Sequence, residues 1–185
     1  MTKVIDMKSF IVTGASASGK TTLINEAIKN GYFHLSTHTT RAPRTGEIAG
    51  IHNEYLNFYT FKQNFKKNMY FEPSLNYAEK NGEYYGTPRN WVDYLKGDNY
   101  CATPITPLIA DMIYSQTSVL WISLICDDSV RKARLISRGI SSQEIEVRLN
   151  TAEEQYNLSP KVTIFNTTFL SPSDIFAAIR ELSNV

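Results

Sequence analysis

The fold of this chain is decided by the stretch GASASGKTT at residues 14–22. An apolar run at residues 10–12 precedes it, and apolar residues at helical spacing follow it over residues 23–28. A strand, a loop of small residues and a helix start in this order are what a phosphate-binding loop requires. Small residues let several backbone N–H groups point at phosphate oxygens, and the helix N-terminus adds its positive dipole end. The stretch therefore predicts a nucleoside triphosphate site.

The Gly-x4-Gly-Lys-Thr spacing also predicts roles for individual side chains. Lys20 is expected to reach the β- and γ-phosphates of ATP, and the Thr21 hydroxyl is expected to bind Mg²⁺. The alternative is an ordinary turn that happens to contain glycine and lysine, which the full pattern between a strand and a helix disfavours. The residues predicted to bind ATP in this loop are Gly14, Ser16, Ser18, Gly19, Lys20, Thr21 and Thr22.

The composition is typical of one globular domain, with 185 residues, 42% hydrophobic and 20% charged. A net charge of +1 gives no reason to expect a nucleic-acid or membrane surface. No apolar run is as long as a membrane span and the N-terminus lacks a signal-peptide core, so we expect a cytoplasmic protein. Cys101 and Cys126 lie in apolar runs and are expected to be buried thiols. The sequence leaves open whether the protein is a monomer or a homodimer.

Strands alternate with helices along most of the chain, which indicates an α/β fold with a mainly parallel sheet flanked by helices. Strands are predicted at residues 10–13, 33–36, 75–78, 83–85, 100–103, 119–125 and 162–165. Helices are predicted at residues 21–30, 61–68, 88–96, 107–115, 129–137, 143–157 and 172–182. The segment 37–88 interrupts the alternation and is polar and irregular up to residue 59. It is predicted to be an inserted substrate-binding subdomain.

The loop at residues 37–47 places Arg41 and Arg44 three residues apart, beside Pro43. Guanidinium forks suit bidentate recognition of phosphate, and a solvated surface loop is the alternative if this string stood alone. It is accompanied by the phosphate loop, the string EYYGTP at residues 83–88 and the pattern Arg134-x3-Arg138-Gly. Together these motifs resemble the guanylate kinase family over nearly the whole chain.

That resemblance implies a P-loop kinase fold in one domain, with a core at about residues 1–36 and 88–185. It implies an acceptor-binding insert at about residues 37–87 and a helical lid at about residues 134–150. The implied activity is phosphoryl transfer from ATP to a nucleoside monophosphate, with GMP or dGMP as first choice, Mg²⁺ as cofactor and these nucleotides as the partners.

The resemblance also implies roles by position. The acceptor phosphate would be clamped by Arg41, Arg44, Tyr55 and Tyr85, and the acceptor base would contact Thr37 and Thr87. The lid arginines Arg134, Arg138 and Arg148 would act with Lys20 in catalysis, and Asn166 would lie near the donor adenine. By contrast, Arg131 and Lys132 fit a basic helix face in water.

The chain departs from the family pattern at three places. Ala17 replaces a glycine of the loop, and residues 100–105 lack two aspartates, one that helps organise Mg²⁺ and one that helps read guanine. Asn76 stands where the family has its guanine-reading glutamate. An amide offers one acceptor and one donor group, so Asn76 suits an adenine, cytosine, uracil or thymine edge better than guanine. Glu72 and Glu79 are close enough in sequence to substitute for it.

Other readings therefore stay open beside a GMP kinase. In one alternative the acceptor is another nucleoside monophosphate. In a second it is a ribose phosphate such as a ribose bisphosphate, and kinases of this family that use such acceptors also lack the strand aspartates. A non-catalytic guanylate-kinase-like module that binds protein partners is the third possibility. Lys20, Thr21 and the three lid arginines argue against the non-catalytic reading.

Overall fold

The computed structural model describes residues 7–43, 46–72, 82–150 and 162–183. The strands are β1 Phe10–Gly14, β2 Phe33–His34, β3 Thr37–Thr39, β4 Asn53–Tyr55, β5 Tyr85–Gly86, β6 Cys101–Pro104, β7 Leu120–Ile125 and β8 Thr163–Asn166. The helices are α1 Lys20–Lys29, α2 Phe58–Lys66, α3 Trp91–Lys96, α4 Pro107–Tyr114, α5 Asp128–Ser137, α6 Ser142–Asn150 and α7 Pro172–Leu182.

β1 lies at the centre of a five-stranded parallel sheet with the order β2-β6-β1-β7-β8. Ile11 packs into a cluster with apolar residues of α3 and α4, whereas Phe10 and Val12 pack into a second cluster with α1 and α7. Successive side chains of a strand point to opposite faces, so helices cover both sides of the sheet. The predicted α/β class with a mainly parallel sheet is confirmed, and both cysteines are buried free thiols as expected.

A second, three-stranded sheet follows β2 directly, with the order β4-β3-β5. β3 pairs parallel with β4 and antiparallel with β5. The expectation of irregular chain from residue 37 to 59 is wrong here. These strands are short and polar, so they carry no apolar alternation by which the sequence could reveal them.

One face of the small sheet is packed. His38 donates to or accepts from the Tyr70 hydroxyl at 3.0 Å, and the Tyr70 ring stacks on Phe61 of α2 at 4.8 Å between centroids. A Cβ at Gly86 would lie 2.8 Å from the Tyr70 ring, so glycine is needed for this approach. The opposite face of the sheet carries Thr39, which is fully buried, and Tyr55 and Tyr85, which are half-buried.

Two predicted helix starts are wrong. α2 begins at Phe58, three residues earlier than expected, because the Asn57 side chain caps it by accepting from Thr60 N at 2.8 Å. Pro88 does not start a helix, since it bridges to Tyr70, and α3 begins only at Trp91. The candidate strand at residues 75–78 lies outside the described residues, and the helix expected at 143–157 is described only to its end at residue 150.

α5 and α6 are fastened to the loop between β1 and α1 by a small apolar cluster of Ala17, Leu135 and Ile145. In the described ranges, no helix combines the length and the apolar character needed to cross a bilayer.

Candidate active site

Five consecutive carbonyl oxygens of the loop, those of residues 14–18, accept hydrogen bonds from side chains. Lys20 Nζ donates to the first two at 2.7 and 2.8 Å. Arg131 Nε and Arg134 Nη1, both on α5, donate to the next two at 3.0 Å each. The Thr167 hydroxyl, just after β8, donates to the fifth at 2.7 Å. The loop is thus tied by its carbonyl groups to three separate elements.

These ties decide where the N–H groups of the loop point. In a trans peptide the N–H lies opposite the C=O, so the N–H groups of residues 17 and 19 point away from α5 and from the end of β8, whereas the Ser18 N–H donates to Ala15 O at 3.2 Å within the loop. The N-terminus of α1 follows immediately and adds its dipole. Backbone N–H groups together with a helix N-terminus form a binding site for an anion such as a phosphate.

The backbone of the loop explains which small residues it needs. Gly14 has φ 139°, and a Cβ there would lie 2.4 Å from the carbonyl oxygen of Leu124. Ala17 has φ 63°, a left-handed conformation that costs a non-glycine residue roughly 1 kcal/mol. Its methyl group packs against Leu135 and Ile145, which offsets that cost. The alanine that departs from the family pattern is therefore accommodated by packing against α5 and α6.

Lys20 stands among cationic groups at the first position of α1. Desolvation and, to a smaller extent, repulsion from Arg131 and Arg138 together lower the pKa of its ammonium group to about 8. Positive charges gathered where water is scarce favour the binding of an anion between them. A triphosphate bound beside Lys20 would therefore neutralise the positive charge of Lys20 and of the arginines near it.

Arg134 is the most firmly held of the predicted lid arginines. Besides its bond to Ala17 O, it donates through Nη2 to Thr167 O at 3.0 Å and through Nη1 to Thr167 Oγ1 at 3.2 Å. It therefore joins the loop to the segment after β8.

Arg148 and Arg138 have different surroundings. Arg148 donates through Nη1 to Ser16 Oγ at 3.1 Å and pairs with Glu144 at 2.5 Å. Arg138 directly follows α5 and is exposed, with its charge close enough to act on Lys20. The geometry brings Arg134 and Arg148 onto the loop, and the catalytic role of all three arginines stays a prediction.

Arg131 was expected on a solvated helix face, and that expectation is wrong. Its side chain is buried, and only Lys132 beside it is exposed. The sequence pattern of α5 does not distinguish a buried arginine from an exposed one, because the partners of Arg131 lie in other parts of the chain. An arginine in an apolar stripe is the available sequence signal, since Leu135 lies one turn further along the same face.

A cavity of about 260 Å³ opens beside the loop, where β7 ends and the segment after β8 begins. Its volume is just below the ~300–1,000 Å³ of pockets for drug-sized ligands, so it suits one ring system. Its polar wall includes Gly19, Thr22, Arg134, Arg138 and Thr167. Asn166, predicted near the donor adenine, accepts from Thr168 N at 2.9 Å and so shapes the segment that lines the cavity.

Another cavity of about 260 Å³ lies at the opposite, amino end of the strands of the main sheet, lined by Met7–Ser9 and Leu95–Tyr100 among others. Ligands of open parallel sheets bind at the carboxyl ends of the strands. Of these two cavities, the one beside the loop lies at that end of the strands, so it is the candidate nucleoside site.

The face of the small sheet that lies away from Tyr70 gathers the residues predicted to bind the acceptor. Thr39 is directly opposite Tyr55 on β4 and Tyr85 on β5, so these three side chains share one face. Continuing the antiparallel register places Thr37 opposite Thr87 on the same face. The two rows are two residues apart, about 7 Å along the strand. The predicted base contacts and the predicted phosphate clamp thus lie side by side.

Arg41, two residues beyond β3, completes this face. It is buried and forms a bidentate ion pair with Glu47, and its guanidinium carbon lies 5.6 Å from the centre of the Tyr55 ring. The hydrogen bonds to Glu47 raise the pKa of the Arg41 guanidinium above its usual range. The Tyr55 hydroxyl donates to the same Glu47 carboxylate at 2.7 Å, and the Tyr85 hydroxyl donates to Glu83 at 3.1 Å.

Sequence reasoning missed both of these carboxylates. Glu47 is the last residue of the loop at residues 37–47 that carries Arg41 and Arg44. A cation that becomes buried needs a counter-charge, and this need was the sequence signal that pointed to Glu47. Glu83 carried no comparable signal. Arg44 and Asn76 lie outside the described residues, so their predicted roles stay predictions.

Comparison with known proteins decides the family. The guanylate kinase family model matches residues 6–169 of the chain. The guanylate kinase of Neisseria meningitidis serogroup A is 32% identical over 158 residues, which cover 81% of this chain and 74% of that protein. The chain belongs to the guanylate kinase family.

Other members of the guanylate kinase family support the assignment over part of their length. The guanylate kinase of Shewanella sp. MR-7 is 39% identical over 88 residues, 46% of this chain, and the matched region spans only 41% of that protein. The crystal structure of guanylate kinase from Anaplasma phagocytophilum superposes with a TM-score of 0.64 at 18% identity, covering 96% of this chain and 84% of that one. That superposition confirms the predicted P-loop kinase fold.

Proposed function

We propose that this guanylate kinase family member transfers the γ-phosphoryl group of ATP to a nucleoside monophosphate, with GMP or dGMP as the first-choice acceptor. The observation that supports the proposal is that cationic and hydrogen-bonding groups gather at two places of different construction. One is the loop at residues 14–22 with Lys20 and the arginines of α5 and α6. The other is the face of the small sheet away from Tyr70, with Arg41, Tyr55 and Tyr85.

The first site suits the donor. N–H groups of the loop and the N-terminus of α1 would bind the phosphates, and the cavity beside Gly19 would take the adenine ring. Lys20 and the lid arginines would oppose the charge that develops on the transferring group, which needs no covalent intermediate. The division into core, insert and lid belongs to this proposal.

The second site suits a monophosphate attached to a base. Arg41 and the two tyrosine hydroxyls would hold phosphate oxygens, and Thr37 and Thr87 would face the base about 7 Å away. Holding both substrates in line is the larger part of the catalysis in phosphoryl transfer.

Mg²⁺ fits the residues present, through the exposed hydroxyl of Thr21 in the first turn of α1. Magnesium keeps several waters and needs few protein ligands. β6 contains no Asp or Glu, and its Thr103 hydroxyl donates to Leu35 O at 2.8 Å. Within the described ranges no three His, Cys, Asp or Glu side chains gather. When bound, the ion would neutralise charge on the phosphates of ATP.

A kinase for another base is the second candidate, and Asn76 is the observation that favours it. The test is a coupled assay of ADP release with ATP, Mg²⁺ and one acceptor at a time, using GMP, AMP, CMP, UMP, their deoxy forms and ribose phosphates. A reaction without acceptor measures background hydrolysis. We expect release with GMP above that background. A folded protein that binds ATP but gives background rates with every acceptor would refute the proposal.

A further inference from the structure

Arg131 is one of the most deeply buried side chains of the described structure, with a relative exposure of 1%. A guanidinium group keeps its charge under all ordinary conditions, so it can be buried only with hydrogen-bond acceptors around it. Its position on α5 gives it no place in the cavity or on the small sheet. Its partners therefore indicate what it does.

The guanidinium of Arg131 donates to three separate parts of the chain. Nε donates to Ser16 O in the phosphate loop at 3.0 Å, and Nη2 donates to Arg148 O in α6 at 2.9 Å. Nη1 donates to Asp128 in α5 at 2.6 Å, but the Asp128 side chain is 72% exposed. Asp128 supplies the counter-charge of the buried guanidinium from the solvent side, and the two backbone contacts attach that guanidinium to the loop and to α6.

The contacts of Arg131 and Arg148 converge on Ser16. Arg131 holds the carbonyl oxygen of Ser16, and Arg148 Nη1 donates to the Ser16 hydroxyl at 3.1 Å. Arg131 also holds the backbone of Arg148. The three residues thus form a closed triangle in which each contacts the other two.

Packing of the helices does not need this triangle. Ala17, Leu135 and Ile145 already join α5 and α6 to the loop through apolar contacts. Apolar burial is non-directional, whereas hydrogen bonds from a planar guanidinium fix angles and distances. The apolar cluster already holds the helices against the loop, and Arg131 fixes the distance and orientation of α6 relative to the loop.

We propose that Arg131 is a positioning residue that fixes Arg148 in register with the phosphate loop, so that Arg148 meets the transferring phosphoryl group in one geometry. The inference rests on the proposed kinase function and assigns that site a residue which contacts neither substrate. Misplacing a catalytic group by about 1 Å costs roughly 100-fold in rate, which sets the size of the expected effect.

The test is a double-mutant cycle of Arg131→Met and Arg148→Met, with Lys132→Met as the matched control on the exposed side of α5. Arg148→Met removes the Arg148 side chain and keeps the carbonyl oxygen that Arg131 contacts, so the cycle isolates the positioned group. The measurements are kcat, the KM of each substrate and the thermal unfolding midpoint.

We expect Arg131→Met to lower kcat by roughly 10- to 100-fold, with the acceptor KM within about twofold of wild type. In the Arg148→Met background the same change should lower kcat by less than about threefold, because the group it positions is gone. Arg131→Lys should recover part of kcat. Lys132→Met should match wild type.

Multiplicative effects of the two changes, or a folded Arg131→Met protein with wild-type kcat, would overturn the proposal. If Arg131→Met does not fold, the Arg131→Lys and Arg148→Met cycle is decided by the same criterion. If wild type transfers no phosphoryl group, the proposed function fails instead. The cycle is then measured on the Kd of ATP by calorimetry, where additive effects overturn the role of Arg131 and coupled effects support it.

Discussion

Arg41 and Glu47 form a bidentate ion pair, with Arg41 Nη1 2.6 Å from Glu47 Oε2 and Nη2 2.8 Å from Oε1. The relative exposures of the two side chains are 7% and 20%. The Tyr55 hydroxyl donates to the same carboxylate. One internal carboxylate therefore fixes two of the groups predicted to clamp the acceptor phosphate.

Glu47→Gln should destabilise the protein and weaken acceptor binding. The change removes the counter-charge of a buried guanidinium, which we expect to cost about 1–3 kcal/mol in the free energy of unfolding. Arg41 and Tyr55 would lose their fixed orientation, so the KM of GMP should rise roughly tenfold. Denaturant unfolding and steady-state kinetics measure the two effects.

Glu54→Gln is the matched control, because Glu54 lies in β4 of the same sheet and forms no ion pair among the described residues. A fall in the KM of GMP on Glu47→Gln would contradict this account. It would mean that the carboxylate competes with the acceptor phosphate for Arg41.

Arg41→Ala and Arg138→Ala should separate binding from catalysis. A phosphate contact of Arg41 exists before and during transfer, so its loss should mainly raise the KM of the acceptor. Arg138 would act most strongly on the moving phosphoryl group, so its loss should mainly lower kcat. Steady-state kinetics with each substrate varied distinguishes the two patterns. An Arg138→Ala enzyme that differs only in KM would remove the catalytic role of Arg138.

ATP affinity should fall as pH rises above about 8, because the pKa of Lys20 is lowered to about 8. Below that pH Lys20 is charged and binds phosphate without further proton uptake. Above it the free protein has lost the proton that the complex needs, so affinity falls up to about tenfold per pH unit. The same lowered pKa opposes folding below pH 8, and this cost disappears as pH rises through 8 toward the ordinary pKa of lysine.

Calorimetry of ATP binding from pH 7 to 10 measures this effect, with Lys20→Met as control. The variant should show no loss of affinity from this group over that range. An equally steep decline in both proteins would show that another group is responsible.

The parts of the fold that follow from local chemistry could be predicted from the sequence. The loop at residues 14–22 needs small residues and a helix start, and Gly14 is placed where a Cβ would meet Leu124 O. The apolar run at residues 119–125 predicted a central strand, and β7 lies beside β1.

Long-range partners could not be predicted in the same way. β3 and β4 are polar, and only their pairing reveals that Thr39 stands between Tyr55 and Tyr85. Arg131 is buried because Ser16 and Arg148 surround it, and they lie far from it in sequence or on another helix. The family resemblance supplied the site roles of the tyrosines, whereas the partners of Glu47 and Arg131 became visible only in three dimensions.

Asn76→Glu should shift base preference toward GMP if Asn76 faces the acceptor base. A glutamate accepts from both guanine donors, so kcat/KM for GMP relative to AMP, CMP and UMP should rise by about 1–3 kcal/mol in transition-state free energy. Glu72→Gln and Glu79→Gln are the controls, because either glutamate reads guanine if Asn76 does not. Strong wild-type selectivity for GMP that Asn76→Glu leaves unchanged would contradict the role of Asn76.

The central claim is that this chain moves the γ-phosphoryl group of ATP onto a nucleoside monophosphate, and label transfer tests it most directly. Wild type and Lys20→Ala are incubated with Mg²⁺, γ-labelled ATP and GMP, and the labelled products are separated. Wild type should yield labelled GDP, and the folded Lys20→Ala protein should form it at least about 10³-fold more slowly, since Lys20 stabilises charge on the transferring group. Equal labelling of GDP by both proteins, or label found only in inorganic phosphate, would contradict the claim.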